Sequence, residues 1–145
     1  MHHLFAYGTL MSRGIMREVS GFQLSNMPGR LKGYSRRSVK YETDPALLPD
    51  KESRVASMVY RNVPNSGWER FDRFEGKMYA CQIVPIELND GVRWRAVTYI
   101  VQPNFLDCLD QSDWDFADFL RNGKASSQVR YKGYQLFKSN LTAGV

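Results

Sequence analysis

Leu4-Phe5-Ala6-Tyr7-Gly8-Thr9-Leu10 runs an apolar segment straight into a glycine and a hydroxyl. Such a run reads as a buried strand over residues 3–7. The break at Gly8-Thr9 has two readings. One is a plain turn, for which glycine supplies unusual backbone angles, left-handed ones included. The other is a loop whose successive amides form a nest for an anion, with the missing side chain at Gly8 letting an oxygen reach the backbone.

Working outward, the chain carries strand and helix signals without repeats, linkers or low-complexity segments. Ser12 is placed to cap a helix over residues 12–19. Strands over 22–27 and 30–39 flank Pro28-Gly29, a turn signal. Residues 41–53, with Pro45, Pro49 and several acids, read as an irregular loop. Residues 55–61 form a strand with apolar side chains of both parities, which predicts burial on both faces. Strands over 79–88 and 94–101 are joined at Asn89-Asp90-Gly91, a hairpin signal. Ser112-Asp113-Trp114-Asp115 opens a helix that ends near Asn122-Gly123, with Trp114, Phe116, Ala117, Phe119 and Leu120 on its buried side. Its acidic first turn and Arg121 in its last suit the helix dipole. Residues 128–137 fit a short helix or a strand, and the tail beyond Lys138 is expected to fray. Strands with a few short helices in one domain over 1–145 give the α+β class.

The segment Pro64-Asn65-Ser66-Gly67-Trp68-Glu69-Arg70-Phe71-Asp72-Arg73-Phe74-Glu75-Gly76 bears most on chemistry. Ser66 with Glu69 fits a capping box, and Gly76 suits the position just past a helix end. A helix over about 67–75, at roughly 100° per residue, groups Trp68, Phe71 and Phe74 on one side. Glu75 falls between Trp68 and Phe71, on the apolar face. Burial and the negative end of the helix dipole both disfavour an ionised carboxylate, and both move a carboxyl toward the range useful for proton transfer. The plainer alternative is a glutamate at a frayed end that turns to water or pairs with an arginine. Asp72 sits at the edge of the same face.

Composition limits the alternatives. Hydrophobic residues make up 43% and charged residues 24%, ordinary for a globular chain. No apolar stretch approaches the roughly 20 residues that span a bilayer, and the start has no signal-peptide pattern. Cys81 and Cys108 have neither zinc nor redox-pair spacing, so a cytoplasmic setting is expected. No Ser-His-Asp set, glycine-rich phosphate motif or metal cluster is visible, with His2 and His3 the only histidines. What remains is one inward acid, a glycine loop and several tyrosines, enough for proton transfer without a cofactor. The net charge of +5 is partly concentrated in Arg30, Lys32, Arg36, Arg37 and Lys40. These residues fit the solvated face of an edge strand, and they also fit a surface for nucleic acid or an acidic partner. The modest charge and the lack of a nucleic-acid motif favour the first, so no nucleic-acid or membrane partner is expected.

Several of these segments together resemble the gamma-glutamylcyclotransferase-like superfamily. Phe5-Ala6-Tyr7-Gly8-Thr9-Leu10 is similar to its YGTL or YGSL signature. Arg70-Phe71-Asp72-Arg73-Phe74-Glu75-Gly76 with Met78-Tyr79 resembles its LD-x-x-EG…Y segment, and Pro45-Ala46-Leu47 its PAL loop. Gly91 with Ala96-Val97-Thr98-Tyr99-Ile100 fits its closing hairpin. Trp114-Asp115-Phe116 and Tyr131-Lys132-Gly133-Tyr134 look like the C-terminal extension of the plant-type, avirulence-induced-gene branch. Departures are Thr9 in place of serine, Phe71 in place of leucine, and a single residue, Lys77, between Gly76 and Met78-Tyr79.

The resemblance implies a small mixed β-barrel with short helices around it and a pocket at one side. It implies that the amides of Tyr7, Gly8, Thr9 and Leu10 bind the carboxylate of a gamma-glutamyl group, and that Tyr79 lines the pocket. By the same carry-over Glu75 is the acid/base that moves a proton from the substrate's α-amine to the departing nitrogen, giving 5-oxoproline and a free amine or amino acid. The substrate class is a small gamma-glutamyl compound; glutathione, gamma-glutamyl amino acids and gamma-glutamyl amines all fit. A catalytically silent metabolite-binding module of the same fold needs the glycine loop but not Glu75.

Overall fold

β1 (His2–Ala6) is apolar on both faces, and the fold uses both. In the computed structural model, which describes residues 2–40 and 45–123, Phe5 points into a barrel interior with Leu31, Leu47, Val59, Val84 and Ile86. Leu4 and Ala6 point the other way, into a second core with Ile15, Met16, Val19 and Phe71 of the helices.

The barrel is formed by β1, β2 (Asn26–Val39), β3 (Pro45–Val63), β4 (Tyr79–Leu88) and β5 (Arg93–Val101). The order β3-β1-β5-β4-β2 closes on itself through β2–β3 pairing. β1 and β5 run parallel, with Leu4 opposite Val97, and the other neighbours are antiparallel. This mixed barrel with short helices is the architecture expected. β6 (Leu109–Asp113) lies against β2 outside the ring, with Asp113 opposite Arg37. Between β4 and β5, Gly91 takes φ 84, the left-handed angle that a tight hairpin needs.

α1 (Arg13–Ser20) follows the expected cap: Ser12 Oγ accepts from the Ile15 N–H, and the helix stops at Gly21 with φ 80. α2 (Asn65–Glu75) ends at Gly76 with φ 77. Its start differs from expectation. Pro64 is the N-cap and no side chain caps the helix, so the Ser66–Glu69 box does not form. Glu69 instead pairs with Arg73 one turn on, at 2.8 Å.

Three other expectations are corrected. Pro28-Gly29 is not a turn but the middle of β2, opposite Met58 and Ser57. A Cβ on Gly29 would lie 2.8 Å from both Ile86 Cγ2 and Val59 Cγ2, so the glycine is there for close packing. Residues 45–53 are strand, not loop. Pro45 opens β3, and Pro49 pairs with Tyr34 beside a bulge at Gly33, places where a missing N–H is tolerated. The long helix expected from Ser112 is replaced by the end of β6, an extended Trp114-Asp115, and α3 (Phe116–Asp118) running into a π-turn over Phe119–Gly123. Asp115 caps α3 by accepting from the Ala117 N–H. Trp114 and Phe119 are buried there, while Leu120 is exposed. The readings of residues 128–137 and of the tail lie outside the described residues.

The basic stretch of β2 is engaged within the fold. Arg30 and Lys32 share Glu87 at 2.7 and 3.5 Å, Arg37 meets Asp113 at 3.5 Å, and Lys40 donates to the Asp107 carbonyl. Arg36 turns toward the loop after β1. Among the described residues no helix is long and apolar enough to cross a membrane.

Candidate active site

The chain leaves β1 at Tyr7 and makes one 3-10 turn over Thr9–Met11. Four side chains hold carbonyls of this passage from outside. Thr98 donates to Phe5 O at 3.0 Å, Ser57 to Ala6 O, Arg36 Nη1 to Tyr7 O at 2.8 Å, and the Tyr60 hydroxyl to Leu10 O at 2.8 Å. Gly8 O and Thr9 O close the turn by accepting from the N–H groups of Met11 and Ser12. The carbonyls are therefore spoken for. Among the described residues, the N–H groups of Gly8, Thr9 and Leu10 have no hydrogen-bond acceptor.

Those same residues line a narrow, half-enclosed cleft. Its other walls are the β1 end from Leu4 to Tyr7, Pro45, Glu75 and Tyr99. Donors without partners beside a half-enclosed cleft make a site for an anion, since such groups are otherwise satisfied inside a folded chain. Gly8 is required here by approach rather than by handedness. Its φ is −131, outside the left-handed region, but a Cβ would lie 2.7 Å from Pro45 Cγ.

Glu75 is the last residue of α2, half-buried on the side facing the cleft. Phe71, one turn earlier, is fully buried and fixes which way the helix faces. Burying Phe71 anchors α2 by about 3–5 kcal/mol, the usual cost of truncating such a side chain to alanine. Asp72 lies at the edge of the helix and accepts from the Tyr99 hydroxyl at 2.6 Å, with Cys81 Sγ at 3.3 Å. Burial, and then the bond to Asp72, push the Tyr99 hydroxyl well above the ordinary tyrosine range. Tyr99 therefore stays protonated and serves as a hydrogen-bond donor, not as a base.

Five sequence-predicted site residues meet at this cleft: Tyr7, Gly8, Thr9, Leu10 and Glu75. Tyr7 contributes backbone, because its hydroxyl donates to the Tyr99 carbonyl at 2.6 Å. Tyr79 does not line the cleft. Its hydroxyl donates to the Pro45 carbonyl at 2.8 Å, so it braces the wall from behind. Sequence reasoning missed Tyr99, Pro45 as a wall, and the four props of the loop. The one available signal was Tyr99 itself, a tyrosine in an apolar run, whose hydroxyl needs a partner when buried. A larger cleft, between α1 and residues 22–26, contains none of the predicted residues. Among the described residues no group of three His, Cys, Asp or Glu side chains could hold a metal ion.

A family model described as gamma-glutamyl cyclotransferase, AIG2-like, matches residues 4–116. The AIG2-like protein D of Arabidopsis thaliana is 28% identical over 120 residues, 79% of this chain and 79% of that protein. A solution structure of an Arabidopsis thaliana protein has a TM-score of 0.69 at 22% identity, covering 99% of this chain and 86% of its own. A solved gamma-glutamyl cyclotransferase has a TM-score of 0.62 at 15% identity, over 70% of this chain and 66% of its own. At these identities the two structures speak for the fold. The family match covers β1, the glycine loop, α2 and the whole barrel, and by it the chain belongs to the gamma-glutamyl cyclotransferase, AIG2-like family.

Proposed function

We propose that this chain catalyses ring closure of a small gamma-glutamyl compound to 5-oxoproline, with Glu75 as the proton carrier. One observation supports this above the others: Glu75 lines the same cleft as Gly8, Thr9 and Leu10, whose N–H groups have no hydrogen-bond acceptor among the described residues. An α-carboxylate held at those amides places the neighbouring α-amine inside the cleft, within reach of an acid on its far wall. The α-amine reacts in its neutral form: it attacks the γ-carbonyl carbon while Glu75 takes one of its two protons, and a carbon–nitrogen bond forms as the five-membered ring closes. The bond from that carbon to the leaving nitrogen then breaks, and Glu75 returns the proton to it. The products are 5-oxoproline and an amine or amino acid. Ring closure is intramolecular, so the protein's work is to fix the reactive conformer and shuttle one proton. Nothing in this sequence of steps calls for a cofactor.

The test is incubation with a panel of gamma-glutamyl amines, gamma-glutamyl amino acids and glutathione, reading 5-oxoproline. Release of 5-oxoproline from at least one member by the parent chain, and its loss in Glu75→Gln, is the expected result. Binding without turnover across the panel would replace this reading with that of a silent metabolite-binding module, which needs the amides alone.

A further inference from the structure

Arg36 touches both ends of the glycine loop with one nitrogen. Its Nη1 donates to the Tyr7 carbonyl at 2.8 Å and lies 3.7 Å from Met11 Sδ. Tyr7 precedes Gly8, and Met11 ends the turn. The guanidinium is itself held in place. Its carbon sits 5.2 Å from the centroid of the Trp114 ring, within the usual range of a cation–π contact. Trp114 is buried and packs on Phe116 and Phe119, at 6.0 and 5.5 Å between ring centroids. Burial works against the Arg36 charge, and Asp115 and Asp113 on either side of Trp114 offset part of it.

This strut follows from the topology. β6 lies along the outer edge of β2 with Asp113 opposite Arg37, which sets the next residue, Trp114, over Arg36. The Tyr7 carbonyl lies just past the end of β1 in a buried residue, where an unpaired acceptor would be costly. With that carbonyl filled, the N–H groups of Gly8, Thr9 and Leu10 are the backbone groups of the turn without a partner among the described residues.

We infer that Arg36, seated on Trp114, is a positioning residue that sets the Gly8–Leu10 amides for the substrate's carboxylate, so that the 109–119 segment belongs functionally to the site. The inference rests on the proposed ring-closing function for its kinetic consequence, and on the loop geometry alone for its structural one. Arg36 is not among the residues that line the cleft, so its loss should weaken binding and leave proton transfer at Glu75 in place.

The experiment compares the parent chain with Arg36→Met, Arg36→Lys and Trp114→Leu. On a substrate found active in the panel, Arg36→Met should raise KM by at least about tenfold with kcat within about threefold, the signature of lost ground-state binding. Arg36→Lys keeps the charge but lacks the planar fork that can bond a carbonyl and stack at once, so it should fail to restore KM. Trp114→Leu should move KM in the same direction by a smaller factor. In parallel, nitrogen-15 NMR should show the Gly8, Thr9 and Leu10 amide signals displaced in all three variants, with the β4–β5 hairpin signals unmoved. An unchanged KM, a fall in kcat without a rise in KM, full rescue by lysine, or unmoved loop amides would each overturn the inference. If the parent forms no 5-oxoproline from any panel member, the ring-closing function fails, and the loop amide signals still decide the role of Arg36. If the Arg36 variants do not fold, Trp114→Leu decides by the same two readouts.

Discussion

The Tyr99 hydroxyl donates to Asp72 Oδ1 at 2.6 Å and so ties β5 to α2, the two elements that bring Tyr99 and Glu75 to the cleft. Because Tyr99 is held above the ordinary tyrosine range, by burial first and by Asp72 second, this tie has a pH signature. Above about pH 10 an unfolded tyrosine gives up its proton while Tyr99 keeps it. The folded state then binds more protons than the unfolded one, so stability falls as pH rises. The contribution is fully present below about pH 10 and is lost from there upward. Tyr60, also raised by burial, adds to the same slope. Tyr99→Phe should cost about 1.5–3 kcal/mol at neutral pH, as for a hydrogen bond to a charged group. It should also flatten the decline in urea midpoint between about pH 9 and 11. Parallel declines in parent and variant would show that Tyr99 is not a source of the slope.

Glu75→Gln keeps the shape and hydrogen bonding of the side chain but cannot carry a proton. On a cyclisable substrate kcat should drop by at least about a hundredfold, the lower end of what a positioned acid–base group contributes. The circular dichroism spectrum and urea midpoint should stay near those of the parent, because Glu75 is only half-buried and Phe71 anchors the helix. Activity retained in the glutamine variant would move the base elsewhere, with Asp72 the first candidate.

The sequence exposes this site unevenly, and the reasons are physical. Helical periodicity put Glu75 beside Phe71, and the fold keeps it on that face because Phe71 is fully buried. The break at Gly8 was visible, but the cause of the glycine was not, since the Pro45 ring that crowds it comes from 37 residues away. Pro28-Gly29 carries the composition of a turn, yet the chain runs straight through it. Local turn preference is about 1 kcal/mol or less, and barrel closure against Val59 and Ile86 outweighs it. For Tyr79, read from sequence as lining the pocket, the partner was not legible: its hydroxyl donates to the Pro45 carbonyl, a residue 34 positions away that walls the cleft. Arg36 gave no local signal, because its partners Tyr7, Met11 and Trp114 meet it only through the β2–β6 pairing and the closed barrel.

Gly29→Ala tests that closure. The added methyl would meet Ile86 Cγ2 and Val59 Cγ2, both at 2.8 Å. Overpacking of this kind costs about 1–3 kcal/mol. Gly33→Ala serves as a contrast. Nothing lies within 4 Å of the added atom, and its φ of 86 leaves only backbone strain, about 1–2 kcal/mol. The two are separated by rescue. Ile86→Val combined with Val59→Ala should recover part of the loss at Gly29 and none at Gly33, read from urea midpoints. No recovery at Gly29 would mean that β2 is not packed there as described.

Gly8→Ala tests whether the loop and its wall act as one part. The alanine methyl would fall 2.7 Å from Pro45 Cγ and 2.8 Å from Pro45 Cδ, while its φ of −131 carries no penalty of handedness. The Pro45 carbonyl is pinned by Tyr79, so the ring cannot simply swing away. The loop is expected to yield instead, and the amides of Gly8–Leu10 with it. Binding of a gamma-glutamyl ligand, followed by calorimetry, should weaken by at least about tenfold, equal to about 1.4 kcal/mol. Pro45→Ala removes the two ring atoms that clash. The double variant should therefore bind more tightly than Gly8→Ala alone, with a coupling of about 0.5–3 kcal/mol for residues in contact. Additive losses would mean that Gly8 and Pro45 do not meet at the cleft. Unchanged binding in Gly8→Ala would reduce the Tyr7-Gly8-Thr9-Leu10 stretch to a turn after the first strand.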